Sequence, residues 1–265
     1  MKPYFGLALA GMLLAACTTP APASSMSEPP SAKVAPGGFD YESVFGLDDR
    51  PEQDYEMYPA RKSAEVLAFT GIMPGMTVVE MEAGNGFYTE LFSKVAGPEG
   101  TVYMQNPASF AAFLGDSVSK RVDGRLANVQ TVESGFDNLS EIGVEEADLV
   151  TWFLGPHELW YTPEGAEAFS LGDPDRTFPE IARVLKPGGS FVVLDHMAPA
   201  GSPATTGGDT HRIDKAIIID MAEKAGLTLV AESDILANPE DDLAVNVFDP
   251  SVRRKTDRFL LKFTK

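Results

Sequence analysis

The sequence has very little cysteine and histidine. One cysteine, Cys17, and three histidines occur among 265 residues. A single cysteine cannot form an intramolecular disulfide, and it excludes a metal site built from several thiolates. The folded part of the chain must therefore depend on an apolar core, and a hydrophobic content of 44% is sufficient for one.

The sequence also lacks a cluster of positive charge. It has 21 lysines and arginines against 39 acidic residues, a formal net charge of -18, and its basic residues form no long run. Nucleic acids and anionic lipid surfaces would repel such a chain. We therefore expect no nucleic-acid partner, and contact with a membrane only through a lipid on Cys17.

The one long apolar run covers residues 4–16, between Lys2 and Cys17. A basic residue, a short apolar segment and small residues are typical of a secretory signal, and the run is too short for a typical spanning helix. Leu14-Ala15-Ala16-Cys17 resembles the bacterial lipobox, which implies a lipid on Cys17; an ordinary signal peptide is the alternative. By the same resemblance, Thr18 favours the outer membrane, with the protein facing the periplasm.

Composition divides the chain into three parts. Residues 1–16 are the predicted signal peptide. Residues 17–38 are rich in proline, alanine and serine, so they cannot bury enough apolar surface to fold, and we expect a flexible tether. Residues 39–265 are long enough for one α/β domain with a sizeable core.

Residues 77–89 organise this domain. An apolar run ends near Glu80, Gly84 and Gly86 follow, and apolar residues at helical spacing begin at Phe87. A buried strand, a glycine turn and a helix are typical of the first βα unit of a doubly wound sheet. Glycines leave the backbone open to a ligand, and the N–H groups that begin the helix favour an anionic group.

The spacing of this turn favours one ligand class. A dinucleotide fingerprint fails because Thr89 occupies its third glycine position. The segment resembles motif I of the class I S-adenosylmethionine-dependent methyltransferases, acid-x-Gly-x-Gly-x-Gly, with Glu80 as the acid. Glu82 replaces the first glycine of that pattern. Its carboxylate can block the cofactor, turn aside, pair with the cationic ammonium or sulfonium, or cap a turn in a site that has lost its ligand.

The remaining chain agrees with this resemblance, which covers nearly all of Tyr55 to Phe263. The motif Leu185-Lys186-Pro187-Gly188-Gly189 is similar to the turn before the fifth strand of the family. The resemblance implies a Rossmann-like α/β sheet of seven strands, mostly parallel with an antiparallel last strand. Apolar runs predict the strands after the first at 100–105, 128–132, 147–154, 190–194, 228–232 and 258–263, and helices at 62–69, 108–122 and 177–185.

The resemblance implies S-adenosylmethionine as the cofactor, lying across the glycine turn. In most members an acid after the second strand accepts hydrogen bonds from the ribose. Here Gln105 and Asn106 are neutral amides, so we expect weaker ribose binding. The residues assigned to cofactor binding are Glu80, Glu82, Gly84, Asn85, Gly86, Gln105, Asn106 and Phe153.

The three histidines are the candidate catalytic residues. His157 follows the fourth predicted strand, His196 ends the fifth, and His211 opens a later helix. All three positions fall at the carboxyl ends of the strands, where open α/β sheets bind ligands. His157 or His196 could accept a proton from the acceptor during methyl transfer. No spacing is diagnostic of a metal site, so we assign no metal ligands.

The sequence therefore predicts an S-adenosylmethionine-dependent methyltransferase that acts on a small-molecule acceptor. Two other functions stay open: a binding lipoprotein that keeps the fold without catalysis, and a metal-dependent enzyme that uses the His157/His196/His211 rim. Asp195-His196 and His211-Arg212-Ile213-Asp214, with other motifs, also resemble a group of predicted bacterial envelope methyltransferases. The acceptor and the oligomeric state are not indicated.

Overall fold

The computed structural model of the protein describes residues 38–46 and 50–265. The predicted signal peptide, Cys17 and almost all of the predicted tether lie outside these described residues. Within the described part, no helix combines the length and the apolar character needed to cross a bilayer.

A seven-stranded sheet lies at the centre of the domain. Its strands are β1 Thr77–Met81, β2 Thr101–Asn106, β3 Val129–Glu133, β4 Ala147–Phe153, β5 Leu185–His196, β6 Thr228–Ser233 and β7 Arg258–Thr264. The α-helices are α1 Glu52–Arg61, α2 Ser63–Thr70, α3 Phe87–Ala96, α4 Ala111–Leu114, α5 Ser117–Val122, α6 Pro174–Val184, α7 Thr206–Thr210 and α8 Lys215–Lys224. Short 3₁₀ helices occupy Tyr41–Val44, Ala108–Phe110 and Pro156–Trp160.

The strand order is β3-β2-β1-β4-β5-β7-β6. Strands β1 to β5 pair in parallel, and β7 is antiparallel to both of its neighbours. The order reverses between β1 and β4, which makes their carboxyl ends the topological switch point where ligands bind in such sheets. The predicted fold class, with its antiparallel last strand, is confirmed.

Helices cover both faces of the sheet, so the central strands are buried on both sides. Trp152, Phe178 and Phe191 belong to the core on the face of α6 and α8. Val78 and Leu91 belong to the core on the face of α2 and α3. Two-sided burial explains why these strands are nearly continuous apolar runs in the sequence.

Three segments differ from the predictions. Helix α1 lies where the sequence predicted no helix, and acidic residues in its first turn favour its start. The helix predicted over 108–122 begins as the 3₁₀ helix Ala108–Phe110, which continues into α4, and Gly115 at φ 55° separates α4 from α5. Strand β5 begins earlier than predicted, at Leu185. Its register with β4 shifts between Ala147 and Leu149, so residues 186–189 bulge from the ladder.

Candidate active site

The turn after β1 exposes its backbone at Gly84. Gly84 has φ 58° and Gly86 has φ 80°, both in the left-handed region. A Cβ on Gly84 would meet no atom within 4 Å, whereas one on Gly86 would lie 3.1 Å from side-chain atoms of Arg121 and Met104. Gly84 is therefore the residue that leaves room for a ligand, and Gly86 is needed for packing.

Arg121 supports this turn from the protein side. Its Nε donates to the Asn85 carbonyl at 3.1 Å, and its Nη1 donates to Asp54 at 2.5 Å and to Glu90 at 2.7 Å. Arg121, Asp54 and Glu90 are all buried. The network links α1, α3 and α5 to the glycine turn, and the sequence analysis did not find it.

The two amides that end β2 also hold the turn. Asn106 accepts a hydrogen bond from the Gly84 N–H at 2.8 Å and donates one to the Gly84 carbonyl at 3.1 Å. Gln105 accepts from the Glu82 N–H at 2.9 Å and donates to the Ser134 carbonyl at 2.6 Å. Gln105 is fully buried. This corrects the prediction that Gln105 contacts the cofactor, because both ends of its amide are used inside the protein.

Glu80 on β1 and Phe153 on β4 are also predicted cofactor contacts, and both contact side chains of α3. Glu80 is buried and accepts a hydrogen bond from the Thr89 hydroxyl at 2.5 Å. Burial raises the pKa of Glu80 to about 8. The Phe153 ring packs edge-on against Tyr88, with their centroids 4.9 Å apart. Glu80 is therefore held inside the protein and positions β1 against α3, whereas Phe153 is half-buried at the end of β4 and stays a predicted cofactor contact.

Glu82 turns aside from the open backbone. Its Oε2 accepts a hydrogen bond from the Trp152 indole N–H at 2.9 Å. The same oxygen would lie 2.1 Å from a Cβ on Gly155, so the carboxyl group rests against the chain just after β4. Burial, with the nearby negative charge of Glu158, raises the pKa of Glu82 well above its ordinary value. The sequence left four roles open for Glu82. In the structure its side chain turns aside, so it does not cover Gly84.

Two cavities lie at this edge of the sheet. The smaller, of about 230 Å³, lies at the ends of β2 and β3, and its lining includes Met104, Asn106, Pro107, Val132 and Glu133. The larger, of about 370 Å³, has a lining that includes Asn85, Leu154, His196, Phe248 and Arg258. The larger cavity is of the size that small-molecule sites have. Asn85 of the glycine turn lines the larger cavity. Asn106, which is hydrogen-bonded to Gly84 of the turn, lines the smaller one.

The larger cavity has a cationic wall in a strongly acidic chain. Arg61, Arg253, Arg254 and Arg258 line it. The Nε atoms of Arg61 and Arg258 are buried without a hydrogen-bond partner in the described part of the chain. Arg61 comes from α1, Arg253 and Arg254 from the connection before β7, and Arg258 begins β7, so sequence reasoning did not bring them together. Such a wall favours a ligand with an anionic group.

The three predicted histidines lie together, as expected. The His157 ring is 5.2 Å from that of His211 and 6.0 Å from that of His196, measured between centroids. Nε2 of His157 lies 3.2 Å from Nδ1 of His211. Glu158, the residue after His157, places its Oε1 3.4 Å from His157 Nε2 and 3.2 Å from His211 Nδ1.

The histidines differ in charge. Burial alone would lower the pKa of His157, but Asp195 and Glu158 outweigh it and raise this pKa to about 10. Burial likewise opposes ionisation of Glu158, but hydrogen bonds from His157 and His211 lower its pKa to about 2. Burial and the charge of His157 lower the pKa of His196 well below its ordinary value. His196, whose Nδ1 is 2.7 Å from the Thr256 hydroxyl, is therefore the neutral imidazole beside the larger cavity.

The strand order, the open glycine turn and the cavities at the switch point together define the class: this is the fold of the class I S-adenosylmethionine-dependent methyltransferases. No protein-family model matches the chain. Its sequence relatives are methyltransferases. One is the ubiquinone/menaquinone biosynthesis C-methyltransferase UbiE of Psychromonas ingrahamii, 27% identical over 134 residues, which are 51% of this chain and 48% of that protein. The chain thus spans about half the length of the curated relatives it matches.

Solved structures share the fold at low identity. A SAM-dependent methyltransferase from Aquifex aeolicus is similar with a TM-score of 0.54 and 20% identity, over 85% of this chain and 98% of that one. The [4+2]-cyclase SpnF is similar with a TM-score of 0.54 and 17% identity, over 83% of this chain and 85% of that one. Because one of these two proteins is named as a cyclase, the fold alone does not fix the reaction.

Proposed function

We propose that the protein is an S-adenosylmethionine-dependent methyltransferase that acts on a small-molecule acceptor. The observation that carries this proposal is the uncovered position of Gly84 at the switch point, whose neighbour Asn85 lines the larger cavity and whose hydrogen-bond partner Asn106 lines the smaller one. The cofactor, when bound, supplies an electrophilic methyl group on its sulfonium. That the relatives are methyltransferases supports this reaction over others that the fold can host.

The residues at the smaller cavity fit the adenosine half of the cofactor. Met104, Pro107 and Val132 provide apolar surface for an adenine ring. Glu133, exposed at the end of β3, provides a carboxylate that accepts hydrogen bonds from a ribose or an adenine amino group. Asn106 is a neutral amide and so offers no charge-assisted hydrogen bond to a ribose, and its amide oxygen and nitrogen already bond to Gly84.

The larger cavity suits the acceptor. His196 is held through its Nδ1 by Thr256, and its neutral ring is able to take a proton from an acceptor O–H, N–H or C–H group. Arg61 and Arg258 favour an acceptor with a carboxylate or phosphate group on the side away from the reacting atom. Alignment of the acceptor with the methyl group would supply most of the rate, and the base a smaller factor.

Two observations favour a second function, a binding module without catalysis. Glu82 replaces the first glycine of the motif, and the backbone N–H and carbonyl of Gly84 are already hydrogen-bonded to Asn106, although a Cβ on Gly84 would meet no atom within 4 Å. Titration calorimetry of the purified protein with S-adenosylmethionine separates the two. Micromolar binding, strengthened or unchanged in Glu82→Gly, supports the methyltransferase. Absence of binding to the folded wild type and to Glu82→Gly supports the binding module.

Turnover is tested after binding. The protein is incubated with methyl-labelled S-adenosylmethionine and fractionated anionic metabolites from a bacterial extract. Transfer of label to a small molecule, lost in His196→Asn while cofactor binding is kept, supports the role given to His196. Equal transfer by His196→Asn would contradict that role.

We also propose that Cys17 carries a lipid and that the domain faces the periplasm. The lipobox-like motif before Cys17 supports this, and the residues concerned lie outside the described part of the chain. Mass spectrometry of the membrane-extracted protein tests it. A diacylglycerol on an N-terminal Cys17, absent after Cys17→Ser, is the expected result; an unmodified cysteine in the wild type would contradict it.

A further inference from the structure

We propose that His157 Nε2, His211 Nδ1 and Glu158 Oε1 form a binding site for one divalent transition-metal ion. Nothing in this proposal depends on methyl transfer. The three atoms are 3.2, 3.2 and 3.4 Å apart in pairs. Ligands bonded to one ion at roughly 2.0–2.1 Å, in tetrahedral or octahedral geometry, are separated by about 2.9–3.4 Å. The side chains therefore already have the spacing of one face of a coordination shell.

The ligand nitrogen of His157 is fixed by a second carboxylate. Asp195 is fully buried, and its Oδ1 lies 2.8 Å from Nδ1 of His157. Its Oδ2 accepts the backbone N–H of the same histidine at 2.8 Å. A metal-bound histidine almost always donates its other ring N–H to such a group, which orients the ring and leaves the opposite nitrogen for the ion. Asp195 takes this position, and Nε2 of His157 is the nitrogen directed at His211 and Glu158.

The backbone and the neighbours of His211 also fix the position of its ring. His211 has φ 55°, a left-handed conformation that is uncommon outside glycine and persists where the surroundings enforce it. The next residue, Arg212, is buried and forms two hydrogen bonds with Asp241, at 2.9 and 3.0 Å. Tyr161 and Phe248 pack on the His211 ring, with centroids 5.1 and 4.9 Å away. The imidazole is thus held by its backbone and by two aromatic neighbours.

The donor set selects the type of ion. Two imidazoles and one carboxylate are the ligands of catalytic zinc sites and of non-haem iron(II) sites. Magnesium and calcium prefer oxygen ligands alone, so we expect them to bind weakly. Three protein ligands leave at least one position for water or a substrate oxygen. The side chains of Glu158 and His211 are 14% and 12% exposed, which gives an ion access from solvent.

The site lies beside the proposed acceptor cavity. Phe248 packs on His211 and also lines the larger cavity, and His196 on that cavity is near His157. A bound ion would therefore be close enough to orient an oxygen of a molecule in the cavity. The competing account is a hydrogen-bonded network of charged histidine and carboxylate groups that binds no metal.

Cobalt(II) distinguishes these accounts, because its visible absorption reports nitrogen and oxygen ligation. The full chain is treated with a chelator, desalted and titrated with Co²⁺, with Zn²⁺ competition and a parallel Mg²⁺ titration. We expect one Co²⁺ per chain, displaced by Zn²⁺, and at least 100-fold weaker binding of Mg²⁺. The result that would overturn the proposal is the absence of stoichiometric Co²⁺ or Zn²⁺ binding by the folded wild type.

Variants locate the ion. Glu158→Gln keeps the size of the side chain, and His211→Asn keeps a residue type that tolerates the left-handed backbone. Each should weaken Co²⁺ binding at least 100-fold, whereas His196→Asn, next to the site but outside the three ligands, should change it less than about threefold. Circular dichroism checks the fold of each variant. Retained affinity in both folded ligand variants, or an equal loss in His196→Asn, would also overturn the assignment. S-adenosylmethionine is absent from every titration, so failure of the methyltransferase proposal does not affect the outcome.

Discussion

Asp195 receives two hydrogen bonds from His157, one from the backbone N–H and one from ring Nδ1, both at 2.8 Å. Asp195 lies near the end of β5, and His157 lies in the short helix that follows β4. The pair therefore joins the ends of two adjacent parallel strands and fixes both the position and the rotation of the His157 ring. His196 also donates its backbone N–H to Asp195, at 2.7 Å.

This relationship predicts that Asp195 is a positioning residue for the metal site. Asp195→Asn should weaken Co²⁺ binding about 10–100-fold, because the ring loses a charged acceptor at Nδ1. Asp148→Asn is the matched control: Asp148 also accepts a backbone N–H and a side-chain N–H, from Thr77 and Lys186, at the opposite edge of the sheet. Equal Co²⁺ affinities of the two variants would show that Asp195 does not position a ligand.

Gly84 and Gly226 are a matched pair of positions for testing whether S-adenosylmethionine binds at the glycine turn. Both have positive φ, and a Cβ on either would meet no atom within 4 Å. Alanine at each position should therefore cost a similar amount of stability, roughly 1 kcal/mol. Only Gly84→Ala should also weaken S-adenosylmethionine binding, by 10-fold or more, because its methyl group fills the space that faces the ligand. Urea denaturation and titration calorimetry measure the two effects; equal cofactor affinities would place the cofactor elsewhere.

The pKa of Glu80 predicts a pH dependence of stability. Burial raises this pKa to about 8 from 4.5. The native state then binds the proton more tightly than the unfolded state, so the stabilisation is complete below about 4.5 and is lost as the pH rises to about 8. Glu80→Gln mimics the neutral acid. Its stability relative to wild type should therefore increase across this interval, by at most roughly 5 kcal/mol, and stay constant above it.

Urea denaturation of wild type and Glu80→Gln at several pH values measures this difference. Glu99→Gln, at an exposed position near the start of β2, controls for the removal of one negative charge. A constant difference between wild type and Glu80→Gln from about pH 5 to pH 9 would show that Glu80 ionises normally in the native protein.

The Arg212–Asp241 pair should be essential for the connection between β6 and β7. Both side chains are fully buried. Arg212→Met leaves the Asp241 carboxylate without its partner, which costs about 3–5 kcal/mol of stability. We also expect faster proteolytic cleavage within residues 243–256 under native conditions. Lys224→Met removes an exposed ion pair with Asp220 and should change neither measurement. Equal cleavage rates in wild type and Arg212→Met would contradict this role.

Much of the fold could be predicted because its signals are local. Strand β1 and the glycine turn lie where residues 77–89 placed them, since a buried strand and a sharp turn each need particular residue types over a short stretch. Helix α1 was missed because its sequence lacks a regular apolar period. It is attached instead by the buried pair of Asp54 and Arg121, which are 67 residues apart.

The site could be predicted only in outline. Topology alone brings the ends of parallel strands to one edge, which is why the three histidines were expected together. Side-chain direction was not available from the sequence. Gln105 and Asn106 are neighbours on one strand and so point to opposite faces, and the sequence could not tell which of them meets the cavity. The roles of Glu158 and Arg61 depend on distant partners in the same way.

The antiparallel direction of β7 determines where the sequence can vary between homologues. Because β7 runs against β6, the chain leaves β6 and returns to β7 at the same edge of the sheet, and five residues of the connection over 234–257 line the larger cavity. The segment contributes no strand to the sheet, so exchanges that keep Asp241 on Arg212 and Thr256 on His196 preserve the strand pairings. Under the proposed function, selection can change which molecules the larger cavity accepts through Val247, Phe248, Arg253 and Arg254, while these two supporting residues stay the same.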